Sequence, residues 1–180
     1  MALRNSRQPK LLDAVALEAY AFRVLQGRGM SIGELREKLK RKAANTAEID
    51  TILSKLKQYG FLDDRKFADA MSASRKENRG LGKARVLREL RQHRVAPGVA
   101  QDSVEAAYEG VDEVGMIEAF LERKFRSVDL AKYLTDEKNL SSAFRKLRYS
   151  GFSAGNSIRV LKRYAERAGE LEDEESEPEA

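Results

Sequence analysis

The strongest constraint on the fold is an order of helix signals that returns three times along the 180 residues. Apolar residues recur at spacings of three and four from about residue 11 to residue 164, which is typical of helices packed on one face. Each copy has a middle helix with two inward apolar residues four positions apart. These pairs lie 51 and then 57 residues apart: Leu35 and Leu39, Val86 and Leu90, Ala143 and Leu147. The recurrence predicts three tandem repeats of three helices each.

Cap residues and the other apolar stripes agree with this division. Helix starts are predicted at Ser31 and Asn45, each heading a capping box with a glutamate three residues on, and at Pro97, Asn139 and Ser153. The leading helices are predicted to bury Val15, Ala19, Phe22 and Leu25; then Phe67, Ala70, Met71 and Ser74; then Met116, Ile117 and Phe120. Residues 126–138 are predicted to form an irregular insert in the third repeat.

The predicted fold class is all-α, with three helix-turn-helix-like repeats stacked into an elongated, curved array. The repeats span residues 11–60, 61–110 and 111–168. They lie between a flexible basic N-terminus, residues 1–10, and a disordered acidic tail, residues 169–180. A single compact helical bundle is the alternative, and the combined recurrence of caps and core positions favours the array.

Charge is unevenly distributed along the chain. The net charge is +5, but residues 170–180 carry seven acidic groups and no Lys or Arg, which leaves 34 basic and 22 acidic residues, or +12, in residues 1–169. A body this basic indicates a polyanionic partner, nucleic acid first, and the alternative is a charged face that only keeps the protein soluble. The tail either serves solubility or competes with nucleic acid for the basic face.

Several classes of protein are excluded or disfavoured. The chain has no cysteine, so disulfides, thiolate metal sites and a cysteine nucleophile are absent. A phosphate-binding Gly-rich loop is missing, and the lone His93 has no Ser or Cys partner motif, so we expect a protein that is not an enzyme and needs no cofactor. No apolar run approaches the roughly 20 residues that cross a bilayer, and residues 1–10 are polar, so we expect a cytoplasmic monomer without membrane contact.

One segment carries a family signature. The run Tyr59-Gly-Phe-Leu-Asp-Asp-Arg-Lys-Phe-Ala-Asp-Ala70 resembles the hallmark of the RecX family, Gly-Tyr/Phe-Leu-Asp-Asp-x-x-Phe-Ala. As in that family, it is accompanied by Ser31-Ile-Gly-Glu-Leu-Arg-Glu-Lys-Leu39 upstream and by Ser74-Arg75, Arg79-Gly-Leu-Gly82, Leu87-Arg-Glu-Leu90 and Arg148-Tyr-Ser-Gly-Phe152 downstream. The similarity covers roughly residues 14–165; the insert at 126–138 and the acidic tail depart from it.

The hallmark also has a physical interpretation as a structural joint between repeats. Gly60 ends one helix, Phe61 and Leu62 fill the joint, and Asp63 or Asp64 caps the next helix, where a carboxylate suits the positive end of the helix dipole. Phe67 follows one turn later.

The outward faces of the middle helices are the candidate binding surface. The first repeat mixes signs there, whereas the second and third present arginines, which suit phosphate or carboxylate. Pairing with acidic neighbours such as Glu89 and Glu105 is the alternative. Few aromatic residues accompany these arginines, so no base-stacking surface is predicted. The candidate partner- or DNA-binding residues are Arg75, Arg79, Lys83, Arg85, Arg88, Arg91, Arg145, Lys146 and Arg148.

The resemblance implies a regulator of the RecA recombinase. RecX-like proteins bind RecA on single-stranded DNA, lie in the groove of the filament, and limit its growth or promote its disassembly. The expected partners are therefore the RecA filament and, as a second contact, DNA itself. The alternatives are a stand-alone helix-turn-helix-type DNA-binding protein and a scaffold without a nucleic-acid role.

Overall fold

A computed structural model of the protein describes residues 11–165. The segments 1–10 and 166–180, which include the predicted basic N-terminus and acidic tail, lie outside the described residues. Within 11–165 the fold is all-α, as predicted, and β-type pairing is limited to a single bridge between Leu12 and Ala43. The ten helices are α1 (Ala14–Gly27), α2 (Ile32–Lys40), α3 (Glu48–Gln58), α4 (Asp64–Arg79), α5 (Lys83–Gln92), α6 (Pro97–Ala107), α7 (Glu113–Lys124), α8 (Leu130–Tyr133), α9 (Glu137–Tyr149) and α10 (Ala154–Leu161).

The chain divides into two compact units. Of the described residues, one unit contains 11–68 together with Leu90–Ala100, and the other contains Asp69–Glu89 together with 101–165. The boundaries of the three predicted repeats stay a prediction. Across residues 11–165, no helix has the length and apolar character needed to cross a bilayer.

The inward pairs of the middle helices are buried as predicted. Leu35 and Leu39 are fully buried in a core formed by α1, α2 and α3, which also contains Ile49, Leu53 and Leu56. Ala143 and Leu147 are fully buried in a second core that α7, α9 and α10 share. Val86 and Leu90 of α5 are fully buried too. The four-residue spacing identified these positions because it keeps two side chains on one face of a helix.

Of the leading helices, α7 buries Ile117 and Phe120 as predicted, whereas α1 and α4 were predicted less well. In α1 the buried residues are Leu17 and Ala21, whereas Val15 is 81% exposed and Ala19 is also exposed. In α4 Ala68 and Met71 are buried, and Ala70 is exposed. The helix α1 is apolar on more than one side, so periodicity offers two stripes and cannot decide which of them faces the core.

Several predicted helix starts also need correction. Ser31 and Ser153 cap α2 and α10 as expected, but α3 starts at Glu48 without a side-chain cap, and Asn45 only accepts a bond from the Ala47 amide at 3.0 Å. Asp136, not Asn139, caps α9 by accepting from the Asn139 amide at 3.0 Å.

The insert at 126–138 is more regular than predicted. It contains the short helix α8, capped by Asp129, and the fully buried Leu134. Leu134 belongs to the core of α7, α9 and α10, and Leu130 and Tyr133 pack against the same core. The burial of these apolar side chains therefore stabilises the segment. Its helix is too short for apolar spacing in the sequence to predict it.

The turn after α5 packs on the start of α2 through backbone atoms. The Ser31 hydroxyl donates a hydrogen bond to the His93 carbonyl. The next residue, Arg94, adopts a left-handed backbone with a φ of 60°. Its carbonyl oxygen lies so close to Gly33 that a Cβ there would be 2.5 Å away. Only glycine allows α2 to approach this turn.

The turn after α9 contacts the start of α5 in the same way. The Gly82 amide donates to the Ser150 carbonyl at 2.8 Å, and the Ala84 amide donates to the Gly151 carbonyl at 3.1 Å. Ser150 and Gly151 follow His93 and Arg94 by the same 57 residues that separate the inward pairs of these helices. The contact is therefore a recurring feature of the fold, and the left-handed residue of this copy is Gly151, with a φ of 94°.

The first turn of this kind, after α2, is occupied by the chain's own N-terminal segment. The Leu12 amide donates to the Lys42 carbonyl at 2.7 Å, and the Ala44 amide donates to the Leu12 carbonyl at 2.8 Å. Lys42 precedes His93 by the 51 residues that separate α2 from α5 in register. At this turn Leu12 makes the backbone contact that the start of a helix makes at the other two turns.

The two aspartates of the family motif have different tasks. Asp63 caps α4 by accepting from the Lys66 amide at 3.0 Å, whereas Asp64 accepts from the Ile32 amide at the start of α2 at 2.7 Å. Gly60 has a φ of +75°, the left-handed geometry expected after α3. Leu62 is buried in the core of α1, α2 and α3, while Phe61 is 56% exposed and packs edge-on against Phe22.

Candidate functional site

A basic groove lies between α7 and α9 in the second unit. It has a volume of about 620 Å³ and is lined by Phe120, Arg123, Lys124, Ser142, Arg145, Lys146, Tyr149 and Ser150. Four of these eight residues are cationic, and none of them carries a carboxylate. We call this depression the basic groove. It includes Arg145 and Lys146 of the predicted set, and its charge makes it the candidate site for an anion.

The last turns of two helices supply three of the four cations. Arg123 and Lys124 end α7, and Lys146 lies in the last turn of α9, where basic residues also offset the negative end of the helix dipole. Aromatic rings hold two of them: Arg123 lies 5.8 Å from the Phe120 ring centre, and the Lys146 ammonium lies 5.1 Å from that of Phe125.

Three cations of the basic groove are exposed, and of these Arg123 donates to the Arg79 carbonyl, which leaves Lys124 and Arg145. Both side chains are exposed, and neither forms an ion pair with any residue between 11 and 165. Arg145 also lines a neighbouring depression that does contain carboxylates, those of Asp136 and Glu137.

Tyr149 forms one wall of the basic groove and is 65% exposed. The Arg85 guanidinium lies 4.5 Å from its ring centre, and that of Arg88 lies 5.9 Å away. A hydrogen bond from Arg85, together with the charge of that residue, lowers the pKa of the Tyr149 phenol. An accessible aromatic ring thus stands among the cations, an arrangement that the spacing of the arginines did not predict.

Two of the predicted arginines are held by an internal carboxylate. Glu89 is buried and accepts from Arg75 Nε at 2.7 Å and from Arg85 Nε at 3.0 Å. Burial raises the pKa of the Glu89 carboxyl, but the hydrogen bonds from the two arginines outweigh it and the net shift is downward. This is the acidic pairing that the sequence left open, and it orients Arg85 towards Tyr149.

The other predicted residues occupy different surroundings. Arg148 Nη1 donates to the Phe152 carbonyl at 2.6 Å, and the carbonyl of Arg79 accepts from Arg123 at 2.7 Å. Lys83 is exposed and, with Arg148, lines a second cavity of about 470 Å³ whose walls are mostly apolar. Arg91 is exposed and belongs to the first unit.

Sequence reasoning missed Arg123, Lys124 and Tyr149. It compared only the outward faces of the middle helices, whereas the groove also needs the end of α7. A cationic pair at a helix end next to Phe125 was the available signal, and it is a common helix-terminal pattern that does not by itself indicate a site. Tyr149 lies just beyond the arc on which the arginines were compared.

The lone histidine has a packing role. His93 Nδ1 lies 3.1 Å from Glu34 Oε2, and its ring centre lies 5.5 Å from that of Phe67. Ser31 contacts the His93 backbone carbonyl and not the ring, so the two do not form a nucleophile and base. Among the residues of the described range, no group of His, Asp and Glu is placed to hold a metal ion.

The sequence of this chain is similar to those of known regulatory proteins. Residues 63–104 match the family model described as RecX, second three-helix domain. A regulatory protein RecX from Halorhodospira halophila is 36% identical over 110 residues, which cover 61% of this chain and 66% of the relative. One from Streptomyces coelicolor is 27% identical over 152 residues, covering 84% of this chain and 79% of the relative.

A solved structure shares the fold. The crystal structure of RecX from Lactobacillus salivarius superimposes with a TM-score of 0.62 over 84% of this chain and 96% of that one, at 14% sequence identity. At this identity the likeness concerns the fold alone.

Proposed function

We propose that this chain, which belongs to the RecX family of regulatory proteins, binds RecA and its nucleoprotein filament and restrains it, by limiting filament extension or promoting disassembly. RecA is proposed as the partner because of the resemblance to this family. The basic groove is the surface on which we expect the chain to engage the filament, because a RecA filament on DNA is a polyanion.

The observation that carries the proposal is the charge of the groove lining. Arg123, Lys124, Arg145 and Lys146 converge from two helices without a lining carboxylate to neutralise them. Cations at helix ends offset the helix dipole, but four like charges that converge without a carboxylate also repel one another in the free protein, and this repulsion supports an anionic partner. Charges of this kind mainly accelerate association and make it sensitive to salt.

The experiment measures ATP hydrolysis by RecA on single-stranded DNA, with the full chain added below the RecA concentration. We expect inhibition and shortened filaments. The double variant Lys124→Glu with Arg145→Glu should inhibit at least about tenfold less well, since each lost ion contact weakens polyanion binding. Arg159→Glu, at an exposed position of α10, is the matched control and should inhibit like the wild type. Absence of inhibition by the wild-type chain would overturn the proposal.

A further inference from the structure

The geometry of the basic groove points to a more specific ligand. We propose that the groove binds single-stranded nucleic acid directly, with one base stacked on Tyr149 and the adjoining phosphates on Lys124, Arg145 and Lys146. This inference rests on the proposed function, which names the basic groove as the binding surface, but the activity it describes is one of the chain without RecA. The charge of the groove alone would suit any polyanion. The inference adds Tyr149 as a residue that contacts a base.

The environment of Tyr149 supports stacking. Its side chain is 65% exposed at the groove wall, whereas Tyr108 in the same unit is half-buried and donates its hydroxyl proton to the Leu81 carbonyl at 2.6 Å. Arg85, fixed by Glu89, lies 4.5 Å from the Tyr149 ring centre and restricts the orientation of the ring. A base can therefore stack on a preoriented aromatic ring, which lowers the entropic cost of binding.

The combination of ring and cations distinguishes a single strand from a duplex. Paired bases present only their edges in the grooves, so a base must be unpaired to stack on a side chain. Proteins that bind single strands without sequence preference combine aromatic rings with a basic channel that follows the backbone. The groove has both elements within one lining: Tyr149 and, beside it, Arg145 and Lys146.

An acidic protein segment is the competing ligand. Carboxylates would bind the same four cations, but they have no need of an exposed aromatic ring. The two ligands therefore differ in what they require of position 149, and substitutions that keep or remove the ring separate them.

The first experiment uses fluorescence. The chain has no tryptophan, so Tyr149→Trp introduces a single reporter at the groove. We expect a thymidine oligonucleotide without RecA to quench its emission, because the indole stacks on a base. The same strand in a duplex should leave the emission unchanged. Tyr59→Trp is the control, since Tyr59 is 64% exposed, nearly as much as Tyr149, but belongs to the first unit.

The second experiment measures oligonucleotide affinity by fluorescence anisotropy. Tyr149→Ala should raise the dissociation constant about tenfold, and Tyr149→Phe, which keeps the ring, should change it less than about twofold. Arg145→Ala should weaken binding and reduce the salt dependence by roughly one phosphate contact. A polyglutamate peptide serves as the carboxylate probe and should show no difference between Tyr149→Ala and wild type.

The outcomes separate this inference from the proposed function. Inhibition of RecA without quenching, or equal binding of strand and duplex, would overturn the single-strand site and leave the regulatory role intact. Tighter binding of polyglutamate than of oligonucleotide would identify an acidic protein surface as the ligand and overturn it as well. Quenching without inhibition of RecA would instead support the site and contradict the regulatory proposal.

Discussion

The carboxylate of Asp64 accepts a hydrogen bond from the backbone amide of Ile32 at 2.7 Å, across 32 residues of sequence. Asp64 begins α4, but the amide that it satisfies belongs to the first turn of α2, where backbone donors have no partner within the helix. Ser31 satisfies another donor of that turn, the Glu34 amide, at 3.0 Å. The second aspartate of the family motif is thus a tertiary helix cap.

We expect Asp64 to stabilise the fold more as a hydrogen-bond acceptor than through its negative charge. Burial raises the pKa of its carboxyl, so the ionised form is not favoured by the site. Asp64→Ala should lower the free energy of unfolding by about 1 to 2 kcal/mol, as for a lost helix cap. Asp64→Asn keeps the acceptor and should lose much less. Urea unfolding followed by circular dichroism tests this, and equal losses in the two variants would contradict it.

The approach of α2 to the turn after α5 leaves no space for a side chain. A Cβ at Gly33 would lie 2.5 Å from the Arg94 carbonyl oxygen, so Gly33→Ala should lower the free energy of unfolding by about 1 to 3 kcal/mol. Gly155→Ala is a matched control: Gly155 is likewise the second residue of a helix, α10, and a Cβ there would have nothing within 4 Å. That substitution should be neutral or stabilising. Similar losses at both positions would show that the contact is not close-packed.

Arg94 has a conformation that suits glycine. Its φ is 60°, and the residue at the matching position after α9 is Gly151. Arg94→Gly should raise the thermal midpoint, with a gain of about 1 kcal/mol from relief of the left-handed backbone. Arg91→Gly, within the last turn of α5, should instead lose about 1 kcal/mol. A loss at position 94 as large as at 91 would mean that the Arg94 side chain contributes more than its backbone costs.

Glu89 should make the free energy of unfolding depend on pH in the acid range. Its pKa is lower in the folded state than the ordinary value of 4.5, because hydrogen bonds from Arg75 and Arg85 outweigh burial. The stabilisation is therefore fully present above about pH 4.5 and is lost as the pH falls through the lower, folded-state pKa. Glu89→Gln should lower the free energy of unfolding by about 1 to 2 kcal/mol at pH 7 and flatten its dependence on pH below 4.5.

Urea unfolding at several pH values from neutral to acid gives this dependence. Glu122→Gln, at an exposed position of α7, should follow the wild type throughout. An unchanged acid profile in Glu89→Gln would show that Glu89 does not couple to folding in the way proposed.

The sequence predicted the features that depend on neighbouring residues. Ser31 and Ser153 were identified as caps because a capping residue and the amide it accepts from lie within one turn of a helix. The start of α9 was missed because Asp136 and Asn139 are both good caps, one turn apart, and the local sequence does not decide between them. The buried face of α1 was missed because that helix is apolar on more than one side.

The site depended on contacts that no local pattern contains. The prediction found Arg145 and Lys146 from their spacing on α9. It could not find that α7 adds Arg123 and Lys124, or that Glu89 engages Arg75 and Arg85. Whether the nine predicted residues contact a partner stays a prediction; those that line the basic groove now have a defined geometry for testing it.

The recurring turn contacts bear on how this fold diverges during evolution. At Lys42, His93 and Ser150 the acceptor is a backbone carbonyl, which every amino acid supplies, and its partners are two backbone amides and one hydroxyl. Most side chains around such a contact can change, provided that a glycine is kept where two backbones meet closely, as at Gly33 and Gly82. Selection can then rewrite the outer surfaces while the architecture persists, which agrees with a shared fold at 14% sequence identity.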